Sequence, residues 1–214
     1  MRAALAASNR STLPGEDAFR FRHLLIRDAA YQAMPKEQRA DLHERFAGWL
    51  ERTAGDRLPE YEEILAYHLE QAYRYRIELG PPDERARSIA QAAAARLLSS
   101  ADRAEERGDY VTAQSLLERC AEFSEGATRA HALTVLASAL SELNDFPAAM
   151  QAATEAAAAA RGAGEDRYAL RAELVRIDAR THIDPTYSSA ITRQDTESVL
   201  RRLEGTNDED GVFS

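Results

Sequence analysis

Lysine is almost missing: Lys36 stands alone, and the other 26 basic side chains are arginine. A phosphate cradle of the Gly-rich type needs a lysine beside its glycines. Lys36 sits instead in Met34-Pro35-Lys36-Glu37, a surface helix start, so no nucleotide site is expected. Cysteine occurs once, as Cys120, which excludes an intrachain disulfide and permits a reducing compartment. Five histidines at 23, 43, 68, 131 and 182 show neither HxxxH nor HExxH spacing. About four converging ligands make a structural zinc site, so neither metal, cofactor nor catalytic residue is expected. No apolar run approaches the roughly 18 residues of a membrane span. The Ala/Leu run after Arg2 ends at Ser8-Asn9-Arg10, too soon for a signal peptide. The expected location is the cytoplasm, without a membrane partner.

Net charge is -9, from 27 basic and 36 acidic groups, and it is uneven. Residues 1–82 carry 12 basic and 13 acidic groups, whereas 83–214 carry 15 and 23. An acidic second half is a poor match for a phosphate backbone, so nucleic acid is not the expected partner. Alanine is the abundant residue, 42 of 214, against ten Gly and seven Pro. It has the best intrinsic helix propensity. The expected class is all-α, a helical array with a small β remnant at the N-terminus.

That remnant is Phe19-Arg20-Phe21-Arg22, an alternating strand pattern after the turn cluster 11–17. A lone strand is not stable. Its neighbour is either the segment around Leu5 or something outside this chain. The abrupt start reads as an unfinished domain, and Leu24 and Leu25 can cover the Phe19/Phe21 face only partly. Weak order over 1–18, an apolar edge there, and dimerisation through the N-terminal third are the matching expectations. Helical periodicity then runs from His23 to Met34. A second helix from Pro35 to about Thr53 presents Leu42, Phe46, Trp49 and Leu50 on one side. A third opens at Pro59 with Ile64, Leu65, His68, Leu69, Ala72 and Tyr73, and stops at Gly80-Pro81-Pro82. In Tyr73-Arg74-Tyr75-Arg76 the tyrosine at 73 is expected inward and both arginines outward. Four consecutive helical residues point in different directions, so no stacking platform for nucleic acid results.

Past Pro82 the sequence repeats itself. Gly108-Asp109-Tyr110 and Asn144-Asp145-Phe146 lie 36 residues apart, and the same offset pairs Leu97 with Leu133, Ala101 with Ala137, Ala113 with Ala149, and Leu117 with Ala153. Each unit is helix, polar turn, helix. The small residue at Ala101 or Ala137 lets the pair approach, and Tyr110 or Phe146 is expected to fill the wedge between them. Cys120 falls on the position of Ala156, a buried and inert thiol. Such periods mark α-solenoids. The pattern resembles the tetratricopeptide repeat, which implies a short right-handed superhelix over 83–204; neither an opening tryptophan nor a closing proline is present. A third pair runs from Glu165 through Leu170, Leu174 and Ile177, breaks at His182-Ile183-Asp184-Pro185, and resumes over 192–203. Residues 205–214 read as a frayed acidic tail.

The first eighty residues carry a second likeness. Phe19 to Tyr31 (FxFxHxLxRDxxY), Arg39 to Glu51 (RxxLHxxxAxWLE) and His68 to Ala72 (HLxxA) resemble a region of bacterial STAND-type signalling ATPases. There, these segments join the end of a winged-helix domain to tetratricopeptide-like repeats. Such proteins include multidomain class III adenylate/guanylate cyclases and LuxR-like or SARP-like transcriptional regulators. The likeness implies a regulatory helical scaffold, with 1–82 as winged-helix remnant and linker. It also implies packing roles for His23, His43 and His68, whose rings hydrogen-bond within the helical layer. No ATPase core or output domain is present in the 214 residues.

The functional expectation is a non-catalytic interaction scaffold that binds a protein, a peptide or another domain of its parent. Solenoids make contacts through the face of their first helices, and the candidates there are Arg96, Ser100, Arg103, Arg129, Thr134 and Ser138. Two other readings stand beside it: a nucleic-acid-binding regulator acting through residues 1–80, and a small helical enzyme with an unrecognised site.

Overall fold

The computed structural model describes residues 5–8, 18–21, 23–187 and 189–210. The turn cluster 11–17 and the end of the tail, 211–214, lie outside them. The chain is an all-α array of nine α-helices among these residues, with one two-stranded hairpin. It divides into two compact units, Met1–Ala93 and Ala94–Ser214. The division falls inside a helix rather than at the Gly80-Pro81-Pro82 break.

In the first unit, β1 (Leu5–Ser8) pairs antiparallel with β2 (Ala18–Phe21), placing Leu5 opposite Phe21 and Ala7 opposite Phe19. The strand pattern at Phe19 therefore finds its neighbour in the segment around Leu5. Helix α1 (Leu24–Gln32) has no buried residue; Leu25 is 81% exposed. Pro35 caps α2 (Lys36–Ala54), and Gly55, at φ +51°, ends it in a single 3-10 turn. Pro59 sits in the first turn of α3 (Leu58–Ile77), where its missing N–H costs nothing.

Helices α2 and α3 pack together through Ala47, Leu50 and Leu65, with Trp49, Leu58, Tyr61 and Leu69 around them. The inward face of α2 is Ala40, His43, Ala47, Leu50 and Ala54, spaced three and four apart. This corrects the expected face. Leu50 is buried, but Leu42 and Phe46 are exposed, because alanines let the helices approach along a different stripe. Ile64 and Ile77 are likewise exposed, whereas Leu65 and Ala72 are buried.

The second unit takes in most of α4 (Glu84–Glu106), then α5 (Tyr110–Phe123), α6 (Gly126–Glu142), α7 (Phe146–Ala163), α8 (Asp166–Ile183) and α9 (Ser189–Asp210). The two 36-residue units share one turn. Gly108 and Asn144 are left-handed, at φ +72° and +61°. Asp109 and Asp145 follow at φ, ψ of -89°, 68° and -90°, 69°. Their amides donate to Ala104 and Leu140 carbonyls at 2.8 and 2.9 Å. Their carboxylates accept from the Thr112 and Ala148 amides at 3.1 and 3.2 Å. One orphan donor and one orphan acceptor are satisfied the same way at each turn.

Leu97, Ala101, Ala113, Leu117, Leu133, Ala137, Ala149 and Ala153 are all buried, as the repeat requires. Tyr110 and Phe146 are only half-buried, which corrects their expected role as wedges. Phe146 instead stacks on exposed His182 at 3.9 Å and 4°. Helix α6 touches α5, α7 and α8. The third pair forms on Leu170, Ile177, Tyr187 and Val199, with Leu174 and Leu203 beside them. Helix α9 continues to Asp210, so 205–210 is helical rather than a frayed tail. Among the described residues no helix is long and apolar enough to cross a membrane.

Candidate interaction face

Helices α4, α6 and α8 are the first members of the three pairs, and one surface runs across them within the second unit. On α6 it is formed by His131, Val135, Ser138 and Glu142, a stripe repeating at three and four. His131 stacks on Tyr168 of α8 at 4.9 Å and 20°. Burial lowers the basicity of the His131 ring; Asp102 of α4 opposes this and Arg171 of α8 adds to it. One histidine thus senses charges from both neighbouring first helices.

The end of this surface is acidic. Burial raises the Glu105 carboxyl above its ordinary value, and the negative charges of Asp102 and Glu142 raise it further. None of these three carboxylates makes an ion pair with a described residue. Like charges held together cost energy, so this end of the surface carries unrelieved electrostatic repulsion.

Of the six residues expected on this face, only Ser138 is exposed there. Ser100 and Thr134 are 2% and 5% exposed. The Thr134 hydroxyl donates to the Ala130 carbonyl at 2.7 Å, an intrahelical bond that needs no outside partner. Arg103 lies half-buried against the hydroxyls of Ser99 and Ser100 at 3.3 and 3.4 Å. Arg96 is half-buried as well. Arg129 reaches the Ala121 carbonyl of α5 and Glu155 of α7, the latter at 3.7 Å, and so ties helices together. The 36-residue offset explains the error. It carries Arg96, Ser100 and Arg103 onto Ala132, Leu136 and Ala139, all buried, whereas Ser138 maps onto exposed Asp102. Applying the repeat to polar positions identifies Asp102 and its neighbours.

A second polar assembly lies in the first unit. The Tyr31 hydroxyl meets His43 Nε2 at 2.7 Å and donates to the Tyr75 hydroxyl at 3.0 Å. His43 Nδ1 faces His68 Nδ1 at 2.8 Å, so one ring donates and the other accepts. The Arg39 guanidinium covers the Tyr31 and Tyr75 rings at 5.0 and 5.5 Å. Burial lowers the basicity of His43; burial and then His43 bring His68 down to about 4. These contacts tie α1, α2 and α3, which is the packing expected of His43 and His68. His23, by contrast, is exposed at the start of α1, where only its carbonyl is used.

The remaining chemistry is structural. Arg76 is not outward: it donates to Asp41 and Glu44 at 2.8 and 2.7 Å, and Arg74 donates to Glu70 at 2.9 Å. Both guanidiniums of the Tyr73–Arg76 stretch are thus engaged with carboxylates. Burial pushes the Cys120 thiol up to about 11, and its Sγ faces the Ala94 carbonyl at 3.8 Å. Among the described residues no three His, Cys, Asp or Glu side chains gather to hold a metal ion. No protein-family model, curated protein or solved structure matches the chain.

Proposed function

We propose that this protein is a non-catalytic interaction scaffold, in which a short tetratricopeptide-like right-handed superhelix binds a basic peptide segment or domain on the face of α4, α6 and α8. The observation that carries this reading is the trio Asp102, Glu105 and Glu142, placed on two adjacent first helices without compensating cations. A peptide arginine or lysine placed among them relieves the mutual repulsion and gains charge-assisted hydrogen bonds. The likeness to STAND-type signalling ATPases supports a regulatory role inside a multidomain, ATP-dependent signalling protein of the cytoplasm. Exposed Phe21, Leu24 and Leu25 support a homodimer through the N-terminal third.

The test is calorimetric titration of the whole chain with an arginine-rich peptide, at low and at physiological salt. Binding that weakens with salt is expected, and Asp102→Asn with Glu142→Gln should reduce it about tenfold. Equal binding by the double variant would remove this face from consideration. The reading also predicts no heat above dilution when Mg-ATP is titrated into the chain. Saturable nucleotide binding would refute the non-catalytic reading.

A further inference from the structure

The outward side of α2 carries a groove that the scaffold reading does not use. Leu42, Arg45, Trp49 and Arg52 follow at spacings of three, four and three, so they form one stripe of alternating apolar and basic side chains. With Phe46 and Arg85 they line a cleft of about 600 Å³ within the first unit. Leu42 and Phe46 are exposed, and the Phe46 and Trp49 rings meet at 5.3 Å in a tilted pair. Phe46 keeps an open edge while Trp49 is half-buried against the α2–α3 core, so the pair offers water a partly exposed aromatic floor.

The charge around these rings is unbalanced. Glu44, the one acidic residue of the cleft, is already engaged: it accepts from Arg76 at 2.7 Å and from Arg85 at 3.0 Å. Arg45 and Arg52 are exposed and form no ion pair with any described residue. A chain of net charge -9 therefore presents, at this cleft, an apolar floor between two uncompensated guanidiniums.

We infer that this cleft docks an acidic amphipathic segment of a partner protein, with a bulky apolar side chain seated on Phe46 and Trp49 and carboxylates paired with Arg45 and Arg52. The spacing suits a helix lying along α2. A partner helix with apolar residues at one face and Asp or Glu three or four positions away matches the alternation residue for residue. Guanidinium and carboxylate pair bidentately, which fixes register as well as adding affinity. The cleft lies in the first unit, has the opposite charge to the Asp102 surface, and does not depend on that surface being a binding site.

Trp49 is the only tryptophan in the chain, so its fluorescence reports the cleft directly. The probe is a synthetic acidic peptide helix carrying leucine and phenylalanine on one face, titrated into the full chain. A blue shift of Trp49 emission with saturable, salt-sensitive binding is expected. Arg45→Glu with Arg52→Glu alters exposed groups and should leave the thermal melt unchanged while weakening the acidic peptide at least about tenfold. The same double variant should recover affinity for a version of the peptide with lysine in place of each acid. Three results would overturn the inference: no emission change at about millimolar peptide, equal binding of a peptide without its apolar residues, or no exchange of preference in the charge-reversed variant. Sedimentation showing a dimer that hides Trp49 and dissociates in the double variant would also overturn it, assigning the cleft to a second copy.

Discussion

The two neutral imidazoles of the first unit make an individual-residue account of pH possible. His43 and His68 share one hydrogen bond between their Nδ1 atoms, which two imidazolium rings cannot make. The His68 pKa falls from 6.5 to about 4 on folding, through burial and the neighbouring ring. Between those values the unfolded chain binds the proton and the folded chain does not, so stability rises with pH across this window. The contribution is complete above about pH 6.5 and is lost as pH falls toward 4. At about 1.4 kcal/mol per unit the full shift is an upper bound. His68, the ring that titrates, is half-buried, so about 1–2 kcal/mol is expected after screening. Melts at pH 7.5 and 5 should differ accordingly, and His68→Gln should flatten the dependence. At Cys120, the buried thiol should resist a disulfide reagent in the native state and react only on unfolding. Rapid labelling of folded protein would contradict the packing of α5 against the Ala94 carbonyl.

Among the elements, the two turns are the most specific product of the sequence. Asp109 and Asp145 each cap a helix through one carboxylate, so Asp→Ala at either should cost about 1 kcal/mol. Gly108→Ala should cost a similar amount, since a Cβ is strained at φ +72° although nothing crowds it. Ala137→Leu should cost about 1–3 kcal/mol, because a wholly buried alanine leaves no room for the added carbons. Phe146→Ala and Tyr110→Ala should fall below the roughly 3 kcal/mol of a fully buried ring, since each is half-buried. Denaturant titration of these variants checks the whole set. Losses of about 3 kcal/mol or more at Tyr110 or Phe146 would mean that the rings are buried in full rather than by half.

For the whole molecule, stability is unevenly distributed. Helix α6 is buried on most of its circumference and touches three neighbours, whereas α1 buries none of its residues. Amide exchange should therefore be slowest in α6 and α7 and fast in α1, within about the range between local and global opening. Protection of α1 equal to that of α6 would require a partner over Leu24 and Leu25.

Local chemistry was legible in the residues themselves. Alanine abundance set the all-α class, prolines and glycines set the stops, and the paired Gly-Asp-Tyr and Asn-Asp-Phe triplets announced equivalent turns, because each depends on contacts within a few positions. The inward side of each helix was not legible. Alanine is small enough to be buried or exposed at little cost, so a helix with an alanine-lined inward face, such as α2 or α7, does not declare its phase. Tertiary packing alone chose Ala40, Ala47 and Leu50 over Leu42 and Phe46, and it left those larger side chains at the surface. It also brought Tyr31, His43 and His68 from three helices into one network, and Asp102, Glu105 and Glu142 from two helices into one acidic surface. Sequence distance carries no trace of such convergence, because it arises from how closely alanine-lined helices can approach.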